Sequence, residues 1–254
     1  MIIDNFDIFR NKLEFKDKTD RYIIHILRRP KDCKQGENYL GSNEHQRLIR
    51  TYYIDNIDYF NKKEVAIKDL CHANNARAYI LPQVRNNYEC LLNLGEKVLE
   101  TIRLGNYSVK PEHLLRSAYC EYHKSRAKRW ILDLDKDCMT EYISNTGFPK
   151  DSLRTKVWTV DEVLKLVQDN LVKCGKKAED AYVVPTKSGH HIITEPFDLQ
   201  KAMKQCNMFY EGEQKKLVGY KDVGPGEYDA IIKSVVGWLH KDGMSLLYYN
   251  GEIK

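Results

Sequence analysis

"WILDLDKD", Trp130 to Asp137, decides how this chain is read. Trp130, Ile131, Leu132 and Leu134 read as a buried strand, yet the run also carries Asp133 and Asp135. Strand side chains alternate between faces, so the two acids share one face while Leu132 and Leu134 share the other. Two carboxylates on one face of an apolar strand repel each other and lose hydration unless a cation sits between them. The stretch predicts a strand that buries one face and holds a cation on the other.

The elements around it follow from local signals. Thr159 and Glu162 predict a capping box for a helix carrying Leu164, Val167 and Leu171. "AYVV" (181–184) and "HHIIT" (190–194) predict strands joined by "PTKSG", a hairpin by its Pro, Ser and Gly. "DLQKAMKQC" (198–206) suits a helix and "MSLLYY" (244–249) a closing strand. The order is β-α-β-β-α-β, that of a ferredoxin-like or RRM-like sheet. Upstream, "YIIHIL" (22–27), "RTYYI" (50–54) and "ARAYILP" (76–82) read as strands, the last closed by Pro82. A helix over 58–73 is expected to bury Val65, Ile67, Leu70 and Cys71. Another, from Tyr88 to Leu104, gathers Leu91, Leu92, Val98, Leu99 and Ile102 near one face. Pro111 opens a shorter one through His123. The predicted class is α+β, with an N-terminal α/β subdomain over 1–125 and an RRM-like subdomain over 126–254.

Hydrophobic content of 42% and charged content of 30% are those of a soluble globular protein, and no stretch approaches a membrane span. Net charge is only +5, but Arg and Lys cluster at 26–34, 123–130 and 173–177, which fits a polyanionic partner such as nucleic acid or nucleotide. Seven cysteines form no CxxC pair, so structural zinc is not expected even though Cys120 and His123 stand close together. That pattern, with an acidic start "MIIDNFDIF" unlike a signal peptide, gives the expectation of a reduced, intracellular (cytoplasmic) setting and no membrane partner.

"PTKSGHH" (185–191) is the second informative stretch. Ser188 and Gly189 let backbone N–H groups approach an anion, Lys187 adds positive charge, and His191 can donate to a phosphate oxygen. Neither this hairpin nor a lone Asp-x-Asp is specific by itself. Their order along the chain is more telling, since a carboxylate pair followed by a basic glycine hairpin makes a site for divalent metal plus polyphosphate. Asp133 and Asp135 would hold Mg²⁺ or Mn²⁺ as hard oxygen ligands. Lys187, Ser188 and His191 would hold the phosphates. Two metals so placed stabilise the attacking hydroxyl and the leaving pyrophosphate of an in-line displacement.

At these residues the sequence resembles the archaeo-eukaryotic primase superfamily, the primase-polymerases found also in phages and plasmids. The first motif of that family, a hydrophobic strand bearing Asp-x-Asp/Glu, is matched by "ILDLD"; the second, a small residue, one spacer and a strand-borne His, by "SGHHIIT". The Gly-x-His register selects His191 and the Ser-x-His register His190. The third motif is an acid following a hydrophobic residue. Asp242 in "LHKDGMSLLYY" is the choice, preceded by Lys241 in departure from the pattern, with Asp229 and Glu227 in "GPGEYDA" as reserves. The resemblance spans residues 128–198; outside them, Arg77 and Arg85 of "NNARAYILPQVR" are candidates to touch nucleotide or template, with structural ion pairing as the alternative for both.

The resemblance implies a two-lobed catalytic core, an N-terminal α/β unit against an RRM-like unit. It implies a template-directed nucleotidyltransferase for DNA replication, a DNA primase and/or DNA/RNA polymerase using nucleoside triphosphates, two divalent metals and a single-stranded DNA template. A replicative helicase would act in trans. The rivals are a glycosyltransferase, which would open on a nucleotide-binding βαβ pattern and give "TKSGHH" no role, and a metal-dependent nuclease. A non-catalytic RNA- or DNA-binding module should show aromatics rather than acids on its central strand. A catalytically inactive primase-like subunit would carry every motif without using the acids.

Overall fold

The computed structural model describes residues 1–29, 47–121, 128–135, 140–143, 154–157, 159–197, 208–211, 216–219, 236–240 and 243–251. The chain divides into two compact units, Met1–Lys128 with Leu246–Lys254, and Arg129–Ser245. Both mix helices with antiparallel strand pairs, so the class is α+β. No helix of the described residues is long and apolar enough to cross a membrane.

In the first unit β1 (Ile2–Asp4) and α1 (Phe6–Arg10) precede β2 (Asp20–Arg28), β3 (Arg47–Ile54), α2 (Ile57–Asn74), β4 (Arg77–Asn86), α3 (Asn87–Arg103) and α4 (Pro111–Glu121). β2 is buried along almost its whole length and pairs antiparallel with both β3 and β4, and its mainly apolar run is broken by the buried His25. Helix ends follow their caps. The Asn56 side chain accepts from Tyr59 N–H at the start of α2, and Asn75, at φ 51°, ends it in the left-handed region that Asn tolerates. Asn86 accepts from the N–H groups of Tyr88 and Glu89 to open α3.

Two expectations fail here. α2 buries Phe60, Ile67 and Cys71, whereas Leu70 is only half-buried and Val65 is 68% exposed: it lies off the face that meets the sheet. Pro82 does not close its strand. β4 runs through it to Asn86, and the β2–β4 register shifts between Arg21 and Ile23. An irregular stretch of ladder tolerates a residue without an N–H inside a strand.

The second unit is built on a six-stranded sheet. It contains β5 (Trp130–Asp135), β6 (Thr140–Ile143), β7 (Arg154–Val157), α5 (Val160–Lys173), β8 (Tyr182–Pro185), β9 (Gly189–Thr194), β10 (Met208–Glu211), β11 (Lys216–Gly219) and β12 (Val236–His240). The sheet order is β10-β11-β12-β5-β9-β8, while β6 and β7 form a separate pair. The capping box of α5 is present: Thr159 Oγ1 accepts from Glu162 N–H while the Glu162 carboxylate accepts from Thr159 N–H. Val163, Val167 and Leu171 then pack on Leu132, Leu134 and Ile192. The helix expected over 198–206 lies outside the described residues.

The closing strand does not complete this sheet. β13 (Ser245–Asn250) pairs antiparallel with β1 and stands between β1 and β4, in the order β1-β13-β4-β2-β3. Leu246 and Tyr249 cluster there with Ile3, and the division at residue 126 therefore does not carry through to the C-terminus. The apolar run of β13 demands burial on both faces, and the first unit supplies it.

His25 of β2 gives this unit a pH response. Its Nδ1 lies 2.9 Å from Thr51 Oγ1 of β3. Burial and, secondarily, the positive charge of Arg116 on α4 push its pKa down from 6.5 to about 4. Unfolded, the ring takes a proton near 6.5; folded, it stays neutral to about 4, so between these values the unfolded chain binds more protons and stability falls as pH falls. The contribution should be complete above pH 6.5 and reach a loss of about 3 kcal/mol near pH 4. In urea titrations His25→Gln should remove that part of the pH dependence; an unchanged slope would show that carboxylates carry it all.

Candidate functional site

The register of β5 against β9 brings the two informative stretches together. The strands pair antiparallel from Trp130 opposite Thr194 to Asp135 opposite Gly189, so Asp133 faces His191 and Leu134 faces His190. β12 pairs with the other edge of β5 through Leu132 and Ile131, which places β5 inside the sheet with backbone partners on both sides. A candidate group on such a strand has little freedom to drift.

The two faces of β5 differ sharply. Leu132 and Leu134 are fully buried against α5 with Ile192. Alternation assigns His190 to that side and His191 to the side of Asp133. His191 Nε2 lies 3.5 Å from Asp133 Oδ1, with the side chains 13% and 26% exposed. This is an ion-pair distance, not a tight hydrogen bond, and the carboxylate keeps lone pairs for another cation. Position 135 falls opposite Gly189 in the ladder.

Ser245 was not legible as a site residue. Its Oγ lies 3.0 Å from His191 Nδ1, and the residue is fully buried. Asp133, His191 and Ser245 thus form a row, but a sealed hydroxyl cannot meet a substrate as a nucleophile. Its role is to hold the ring. Arg129, just before β5, lies 3.8 Å from Asp180 and 3.6 Å from Glu195, and Lys176 reaches Glu195 at 3.3 Å. These pairs tie the start of β5 to the end of β9.

The remaining candidates are scattered. Lys187 and Ser188 are exposed on the β8–β9 turn, which Thr186 N–H closes by donating to Gly189 O at 2.9 Å. Arg77 and Arg85 are buried in β4 of the first unit, Arg77 with its guanidinium 4.5 Å from the centre of the Tyr249 ring. Asp242, Asp229 and Glu227 lie outside the described residues. Among the described residues no group of three or more His, Cys, Asp and Glu side chains could hold a metal ion. The acids of β5 are nonetheless the hard oxygen donors that Mg²⁺ or Mn²⁺ prefers.

Comparison with protein-family models, with curated proteins and with solved structures finds no match.

Ser245→Ala tests the support of the ring. Removing a buried hydroxyl that partners His191 should cost about 1 kcal/mol of stability, read as a lower urea midpoint with unchanged slope. No change in midpoint would mean that the contact contributes nothing to holding the ring.

Proposed function

We propose that this chain is a primase-polymerase-type nucleotidyltransferase, adding nucleotides from nucleoside triphosphates to a growing strand on a single-stranded DNA template. The observation that carries the reading is the pairing of Asp133 with His191 across β5 and β9, with Gly189 opposite Asp135. Two stretches far apart in sequence, each weak alone, lie side by side on paired strands, which supports the reading. The division into two units also supports a two-lobed core.

Asp133 and Asp135 would hold the divalent metal, with Asp242 as the third acid. The metal would supply charge stabilisation to the attacking hydroxyl and the departing pyrophosphate. His191 binds a phosphate oxygen of the triphosphate as a hydrogen-bond donor, oriented by Ser245 behind it. Lys187 neutralises charge from the turn, and Ser188 and Gly189 offer backbone N–H groups to the same phosphates. Arg77 and Arg85, buried within β4, take no part. A helicase would be supplied in trans, in an intracellular setting.

The test is metal-dependent incorporation of labelled nucleotides on single-stranded DNA, with and without a primer. Asp133→Ala with Asp135→Ala should abolish incorporation while the fold is retained. A double variant working at the parental rate would remove the reading.

A finer prediction separates the two histidines. His191→Ala should cost about 1.5–3 kcal/mol, roughly ten- to over a hundredfold, chiefly as weaker triphosphate binding. His190→Ala, altering the face toward α5, should leave triphosphate affinity near the parental value. If His190→Ala is the crippled variant, the register is off by one; if neither is, the hairpin is only structural.

A further inference from the structure

The apolar face of α3 points away from the unit that carries it. Cys90 is buried and Asn93 Nδ2 donates to Ala118 O of α4 at 3.1 Å, which fixes the inward side of the helix. On the opposite side Tyr88, Leu91, Leu92, Val98, Leu99 and Ile102 are each 38% to 62% exposed. A helix that packs on its own domain through its apolar stripe would show the reverse. Gly95 sits at the middle of the stripe, and a Cβ there would meet nothing within 4 Å. Glycine weakens a helix interior, and none of the described residues around it calls for its small size.

We propose that α3 is the interface of a two-fold homodimer in which two copies of the helix pack antiparallel, crossing at Gly95. The stripe is symmetric about that glycine. Leu92 and Val98 lie three residues from it, Leu91 and Leu99 four, Tyr88 and Ile102 seven. In an isologous contact, if residue i meets residue j, then j meets i. An antiparallel copy therefore brings Leu91 onto Val98, Leu92 onto Leu99 and Tyr88 toward Ile102, with the two glycines where the backbones come closest. Charge selects the same direction. Glu89 and Arg103 lie along one edge of the stripe near opposite ends of the helix. Antiparallel packing sets each Glu89 beside the second copy's Arg103, whereas parallel packing would turn this edge toward the other edge of the second copy and leave both without that partner. Glu96 meets its own copy at the rim, where solvent screens the repulsion. A membrane surface suits the helix less well, because its polar side carries Glu89, Glu96 and Glu100 against Lys97 and Arg103, not the Lys/Arg excess of an interfacial helix.

Sedimentation equilibrium of the full chain tests this, over about 1–100 µM. The chain should show a monomer–dimer equilibrium, and Leu91→Glu with Leu99→Glu should weaken it by roughly a hundredfold or more with the circular dichroism spectrum unchanged. Under mild oxidation Gly95→Cys should give a dimer whose disulfide maps to residue 95 in both chains. Tyr88→Cys should cross-link to Ile102→Cys in a mixture but not to itself. A chain monomeric across the range, a dimer indifferent to the two Glu substitutions, or a Tyr88→Cys self-link would each overturn the proposal.

Discussion

The register of β5 on β9 is the constraint on which the second unit and its candidate site depend. Strand side chains alternate with period two, so a slip of one residue would exchange the faces of an entire strand. Leu132, Leu134 and Ile192 are buried against Val163, Val167 and Leu171 of α5. Each contributes about 1.5–3 kcal/mol by that burial, so a slipped strand would forfeit several kcal/mol and would also press a carboxylate into the helix. The packing of α5 therefore holds Asp133 opposite His191, although α5 supplies neither group.

What was legible in the sequence is what local chemistry determines. The capping box at Thr159 and Glu162 and the β8–β9 hairpin depend on residues a few positions apart, and both formed where expected. The Asp strand and the His strand were each legible from their own short motifs, and the structure pairs them. The failures are long-range. β13 reads as the last strand of the sheet before it, yet it pairs with β1 at the opposite end of the chain. Ser245 gave no signal, because its significance is its distance from a ring 54 positions away. Val65 and Pro82 failed more narrowly: periodicity cannot tell which side of a helix meets the sheet, nor where a ladder slips.

α3 sharpens that last point. Its pattern shows that one face is apolar, and the structure shows that this face is the outer one. Hydrophobic residues so arranged lose about 0.8 kcal/mol for every methylene left in water that could be covered. A helix with several such residues on one outward stripe is more economically explained by a surface that covers them than by chance, since scattered apolar exposure has no period.

The chemistry open to His191 follows from its two neighbours. An ionised Asp133 can only accept, so the nitrogen that faces it, Nε2, carries a hydrogen. Ser245 on Nδ1 has a hydroxyl that can donate or accept. If the ring is neutral, the serine donates to Nδ1; if it is charged, the serine turns and accepts. Either way each ring nitrogen faces a partner, Asp133 on one side and Ser245 on the other, and neither is left unsatisfied at a cost of about 1–3 kcal/mol.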